Sequence, residues 1–455
     1  MGINSEYKYL QLIVLHIIIG LLVFYFRPLA KIYFFAVVIF FLVRIVVAPP
    51  PKKTYEVLKA CAYIVGVEVL FRMSDGGVFY EASKYLVILF ILFGMFYNGV
   101  SGKGYPYFIY LILLVPGVIV ASNNIGFDAN FRTNVAFVLS GPVCLGISAL
   151  YCYEKKVTKH QIIDIVKVIS FPIISMTVYV YLYTPKLEDV LLGTESNFAT
   201  SGGFGPNQTS TILGLGMFSL VVRFFLKSPT LLLKIVNASI FVFIAHRAII
   251  TFSRGGVFTA IIIIAFFLFS LYKKSHRIQK TQILTTGILL VFIGVATWLY
   301  SAQQTGGLIE NRYTNKDALG RDKGDVSTGR VDLFLSELEG FMNHPFVGVG
   351  ASGMKEFRIE TRGKGIVSHN EISRVLSEHG LFGVIVILIL IIKPLGFRSR
   401  NKKSLFFYAF LAFWFATVNH SAMRIAAPGF IYALALLNIQ YEKRPLSRKR
   451  IISKG

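Results

Sequence analysis

The sequence predicts an all-α, polytopic transmembrane helix bundle of 12–14 spans with one large external loop containing amphipathic helices, and three observations predict it. The first is composition: 55% of the 455 residues are hydrophobic and 15% charged, with a mean hydropathy of +0.63, whereas a soluble chain carries about a quarter charged residues. The second is segment length. Apolar runs recur at 8–26, 31–48, 56–72, 84–98, 105–121, 135–153, 162–183, 209–226, 231–252, 256–272, 282–300, 380–397, 404–419 and 428–441, giving 14 candidates. A helix needs about 17–25 apolar residues to cross hydrocarbon, where unpaired backbone groups cannot be left.

The third observation is where the charge falls. The net charge of +24 gathers in alternate connectors, "PPKKTYEVLK" (50–59), "EKKVTKHQ" (154–161), "KKSHRIQK" (273–280), "KPLGFRSRNKK" (393–403) and the tail "EKRPLSRKR" (442–450). The connectors between them are polar but not basic, such as 74–82, 122–130 and 184–208. With both termini in the cytoplasm every strongly basic connector lands inside, so the excess charge is a topology signal and no nucleic-acid partner is expected. Cys61, Cys144 and Cys152 sit in or beside apolar segments without CxxC spacing and read as small packing residues.

Three regions follow: a helix bundle over 1–300, an external loop over 301–379, and C-terminal spans with a basic cytoplasmic tail over 380–455. The loop holds 11 of the 23 acidic residues, and a loop of that length in a compact protein usually has a task. Within it, Val331, Phe334, Leu335, Leu338, Phe341 and Met342 recur at helical spacing while Asp332, Ser336, Glu337 and Glu339 face the other way. The spacing predicts an amphipathic helix on the membrane or on the bundle, started by Ser327 or Thr328 and stopped at Pro345. "GVGASG" (348–353) follows as a flexible glycine turn.

The stretch "SHNEISRVLSEHGLFG" (368–383) enters the next span through a polar cluster. Ser368 and Glu371 match a capping box. His369 would then be the first helical residue, where the helix dipole keeps the imidazole neutral; it is either a surface residue at a helix start or a base. Glu371, Arg374 and Glu378 are spaced to form a charge ladder.

In "AHRAIITFSRGGVFT" (245–259), Arg247 lies inside an apolar span and Arg254 at its outer end. A membrane arginine costs about 2.5–3.5 kcal/mol on insertion scales and is tolerated when it has a partner. Arg254 either snorkels or binds an anion that the following Gly255 and Gly256 would let approach the backbone. Arg330 is a third external arginine. Glu68 and Arg72 are spaced to pair on one helix, Arg44, His16 and His246 read as packed against polar neighbours, and His420 and Arg424 are second-rank site candidates. No phosphate-binding GKS/GKT loop, HExxH, G-x-S-x-G or external D-x-D is present, so neither cofactor nor metal is expected, and a diphosphate leaving group would have to be neutralised by arginines.

With those residues in view, the chain resembles the bacterial O-antigen ligase and polymerase superfamily. The likeness rests on "GPNQTSTILGLG" (205–216), "SRGG" (253–256), "STGR" (327–330) and "SHNEISRVLSEHGLFG" (368–383), in the family's order. The resemblance implies a bacterial inner-membrane glycosyltransferase of surface polysaccharide assembly (lipopolysaccharide, capsule or exopolysaccharide). Its donor would be an undecaprenyl-diphosphate-linked glycan and its acceptor a hydroxyl on a glycan or lipid core, at the external face, without metal and with inversion. It also implies that Arg254 and Arg330 bind the carrier diphosphate, that His369 deprotonates or orients the acceptor, and that Arg247, Asn370 and Asn207 belong to the substrate site. A flippase for lipid-linked oligosaccharide is the competing reading.

Overall fold

The computed structural model describes residues 3–124, 129–184, 193–325, 327, 329–363 and 365–441. Thr328 and the basic tail from 442 lie outside the described residues. Every one of the 14 apolar segments contains helix, though 428–441 is helical only as far as Leu434 and ends in a short strand. The first half consists of α1 (Ile3–Tyr25), α2 (Pro28–Val47), α3 (Pro50–Met73), α4 (Ala82–Asn98), α5 (Tyr105–Leu113), α6 (Val115–Asn124), α7 (Ala129–Cys152), α8 (Lys159–Tyr183) and α9 (Pro206–Lys227). Then come α10 (Leu231–Ile250), α11 (Arg254–Lys274), α12 (Arg277–Gln304), the short α13 (Leu308–Tyr313), α14 (Arg330–Asn343), α15 (Gly353–Arg362), α16 (Glu371–Arg400), α17 (Phe407–Val418) and α18 (Ala427–Leu434). Two three-residue strands, β1 (Lys156–Thr158) and β2 (Asn438–Gln440), pair in parallel and tie the α7–α8 connector to the C-terminal end.

Among the described residues, ten helical stretches are long and apolar enough to cross a membrane, against the expected 12–14. The difference is physical. α4 and α17 are short, α18 has only eight residues, and α3 is too charged to read as a span. α3 is nevertheless buried along most of its length, because its charges are neutralised from within: Arg72 pairs with Glu68 at 2.7 Å, and on α4 Lys84, fully buried, pairs with Glu81 at 2.5 Å and donates to Ser140 at 2.8 Å. Arg44 likewise meets Glu56 at 2.8 Å, His16 meets Tyr63 and His246 meets Ser301.

α3, α8 and α9 form the centre, and α1, α2 and α12 show apolar side chains outward, as lipid-facing helices do. Close approach depends on small residues: a Cβ on Gly66 would lie 2.5 Å from the Ile169 carbonyl of α8. The three cysteines are free and buried in this packing.

The start of α9, the α10–α11 turn, the start of α16 and the α17–α18 turn meet at one end of the bundle. Lys274, at the far end of α11, is 20 residues beyond Arg254, or about 30 Å along a helix.

Candidate active site

His369 lies in an extended strap that enters α16, and the capping expectation needs correction. The N-cap is Asn370, whose Oδ1 accepts from the amides of Ile372 (2.9 Å) and Ser373 (3.2 Å). His369 therefore precedes the helix and is not its first residue. Ser368 and Glu371 have other partners: Ser368 Oγ accepts from Arg358 at 2.9 Å, and Glu371 holds Arg374 and accepts from the Met423 amide at 3.3 Å.

The backbone of the strap is fixed on both sides while the His369 ring is left available. Arg424 donates to the Ser368 carbonyl at 2.9 Å, the Ala422 amide to the His369 carbonyl at 3.1 Å, and Asn370 Nδ2 to Asn419 at 3.0 Å. Beneath it, Arg72 donates to the Arg424 carbonyl and Glu68 accepts from the Ala426 amide at 2.7 Å. His369 is half-buried, and its Nδ1 has no hydrogen-bond partner among the described residues. Burial, followed by the charges of Arg424, Arg330 and Arg358, pushes its pKa down to about 4, so the ring is neutral near pH 7. The neutrality expected from the helix dipole is present, but desolvation and nearby guanidiniums cause it.

The Glu371–Arg374–Glu378 ladder forms, fully buried, with Arg374 also donating to the Val138 carbonyl at 3.2 Å. Two residues beyond it, Gly380 takes φ +57°, which kinks α16. A Cβ there would sit 2.7 Å from the Pro345 carbonyl, and the Leu381 amide donates to that same oxygen at 2.7 Å. The 348–353 turn docks on this kink, with the Val349 amide donating to the Ser377 carbonyl at 2.9 Å.

Arg254 opens α11 and donates to the Arg312 carbonyl at 3.5 Å. Arg330 opens α14; its pKa is lowered by packing around its base and then by the charges of Arg254 and Arg312. Arg330 also acts on His369 and His420, so the three sequence-derived residues Arg254, Arg330 and His369 fall within one electrostatic neighbourhood. Arg312 is the member that the sequence did not single out. It is buried, donates to the Phe252 carbonyl at 3.2 Å and pairs with Glu195 at 2.8 Å; in a polar loop without apolar periodicity nothing distinguishes it.

Asn207, in the first turn of α9, accepts from Ser253 Oγ at 2.8 Å and so buttresses the residue before Arg254. His420 contacts Thr211 at 3.2 Å and the Ala416 carbonyl at 2.9 Å; burial holds its pKa down to about 4, so the ring donates from Nδ1 and accepts at Nε2. Arg247 is buried one turn below the α10–α11 junction, stacked on Tyr181 at 4.5 Å, with Nε and Nη1 lacking partners among the described residues.

Gly255 and Gly256 do not open the backbone to an anion. A Cβ on Gly255 would strike the His420 ring at 2.4 Å, and one on Gly256 would strike Ser210 at 2.1 Å, so both glycines serve protein packing. α14 is also oriented contrary to a bundle-packed amphipathic helix. Ser336, Glu337 and Gly340 are buried against the protein, where Glu337 meets Arg358 at 3.3 Å, while Val331, Phe334, Leu335, Leu338 and Met342 point outward. Its start is set by Asp325, which accepts from the Ser327 amide at 2.7 Å and the Gly329 amide at 2.5 Å.

The stretch from α10 through the kink of α16 thus carries Arg247, Arg254, Arg312, Arg330 and His369, and this stretch decides the comparison. Residues 239–388 match the O-antigen ligase family. The match shows similarity to that family over about a third of the chain, and every one of those five residues falls inside it. Asn207, His420 and Arg424 lie outside the matched residues and reach the site through the fold. No curated protein matches the chain. Among the described residues, no group of three or more His, Cys, Asp or Glu side chains is placed to hold a metal ion.

Proposed function

We propose that the chain is a membrane glycosyltransferase that moves a glycan from an undecaprenyl-diphosphate carrier to a hydroxyl on a glycan or lipid-core acceptor. The observation that carries this reading is the gathering of Arg254, Arg312 and Arg330 at the same end of the bundle as a neutral, half-buried His369 with a partnerless Nδ1. His369 orients the acceptor hydroxyl and takes its proton as the oxygen attacks the anomeric carbon. The bond from that carbon to the diphosphate breaks, the diphosphate leaves with the electron pair, and fixed guanidiniums meet its charge. One displacement inverts the anomeric configuration. Asn370 and Asn207 hold the strap and the α10–α11 turn in place, and Arg247 stands behind them as a further cation.

In this reading the chain sits in a bacterial cytoplasmic membrane with both termini inside, and residues 301–379 form the external loop. The basic connectors support that orientation. A flippase would hold its polar site near the bilayer midplane, whereas these groups gather at one end.

The test is complementation of a deletion strain with wild-type and His369→Ala chains at matched membrane abundance, followed by lipid-linked and surface glycan profiles. Loss of surface glycan with His369→Ala is expected. Accumulated single repeats then indicate a polymerase and accumulated long carrier-linked chains a ligase. Full complementation by His369→Ala overturns the proposal.

A further inference from the structure

At the opposite end of the bundle from His369 lies a cleft of about 780 Å³ between α9, α10, α11, α12 and the α16–α17 turn. Among the described residues five lysines line it, Lys159, Lys234, Lys274, Lys402 and Lys403, and no carboxylate does. The rim is built: Lys274 Nζ donates to the carbonyls of Lys402 (3.2 Å), Lys403 and Ser404 (3.3 Å), which pins the turn so that two further lysines border the opening. Deeper walls are apolar, from Phe224, Leu271, Ile283 and Leu405, with Gln279, Gln282 and Thr286 of α12 among them.

The cleft lies where the first turns of α12 touch the bundle chiefly through Ile283 and through Lys280 over Tyr272, while the helix is fastened more fully at its other end. There His246 meets Ser301 at 2.9 Å and Trp298 meets Tyr313 with ring centroids 4.5 Å apart. Most of α12 is otherwise exposed, so its first turns leave a lateral opening toward the lipid. A basic rim above apolar walls, opening sideways into a membrane, is complementary to an anionic amphiphile. The chain's own continuation does not fit: after Tyr441, which also lines the cleft, residues 442–455 carry six Lys or Arg and one Glu.

We propose that this cleft is a binding site for the phosphate headgroup of an anionic phospholipid, with an acyl chain along the apolar walls. Basic pockets between membrane helices on the cytoplasmic side hold such headgroups. The site is independent of the glycosyl-transfer reading and lies at the other end of α11 from it.

The experiment uses the full chain in nanodiscs containing equal palmitoyl-oleoyl phosphatidylglycerol and phosphatidylcholine, with retained lipid counted by native mass spectrometry. Phosphatidylglycerol is expected to be retained selectively. Lys234→Gln with Lys402→Gln and Lys403→Gln should weaken retention roughly fivefold per lysine removed. A control carrying Lys52→Gln, Lys103→Gln and Lys156→Gln, three exposed lysines away from the cleft, should retain it. Equal loss in the control, equal retention of phosphatidylcholine, or displacement by millimolar inorganic phosphate each overturns the assignment, the last in favour of a soluble anion. Should the triple variant fail to fold, Ile283→Trp, which fills the apolar wall, must lower phosphatidylglycerol retention; unchanged retention overturns the proposal as well.

Discussion

Two sets of arginines stand at the same end of this bundle and are treated in opposite ways. Arg374 is buried between Glu371 and Glu378 and also donates to the Val138 carbonyl. Arg330 is exposed, its guanidinium makes no hydrogen bond or ion pair among the described residues, and its charged neighbours are Arg254 and Arg312. A cation enclosed by carboxylates stabilises its own scaffold. A cation set beside other cations, with only Glu195 on Arg312 to offset them, costs the fold free energy that an anionic ligand of the proposed kind would repay.

The comparison can be broken at either set. The largest effect is expected at the enclosed one: Arg374→Ala strands two buried carboxylates, and removing one partner of a buried pair costs about 3–5 kcal/mol. Folded protein, followed by fluorescence-detected size exclusion, should nearly vanish; normal abundance would show that the ladder is not structural. Arg330→Ala and Arg254→Ala should leave folded abundance intact and lower glycan transfer by about 10²–10³-fold, the usual cost of one preorganised donor. If both variants lose abundance and not turnover, the two sets are alike after all.

Next in size is Gly380→Ala, which puts a Cβ 2.7 Å from the Pro345 carbonyl at φ +57° and should destabilise by about 1–3 kcal/mol, read as a lowered melting temperature. The smallest effect is a shift in pH dependence. His369 has its pKa depressed from 6.5 to about 4, so its neutral form persists as pH falls below 6.5 and is lost only near 4. The acid limb of transfer should therefore fall near pH 4, and Arg330→Ala, which removes one of the depressing charges, should move any residual limb upward. A limb centred at 6.5 in the wild type would mean that the ring is not desolvated.

The helices were legible because hydrocarbon forces long apolar runs, and each of the 14 runs contains one; crossing the bilayer was harder to read, because α3 buries paired charges that hydropathy counts as polar. The positions of Arg254, Arg330 and His369 at one end were also legible from order and spacing. The cap was misassigned because Ser368 and Asn370 both suit a helix start, and the choice was made by Arg358, a residue distant from both capping patterns that takes the serine hydroxyl. Periodicity found the two faces of α14 but not which one meets protein, since in a lipid setting the apolar stripe can face outward. Gly255 and Gly256 looked like ligand-approach glycines because packing against His420 and Ser210 is a long-range fact.

The outward stripe on α14 has a practical corollary. Residues 301–379 cannot be excised and handled as a water-soluble ectodomain: severed from the spans, Val331, Phe334, Leu335, Leu338 and Met342 would present one greasy flank to buffer. With that flank uncovered, the fragment should clump unless a micelle takes the place of the missing helices.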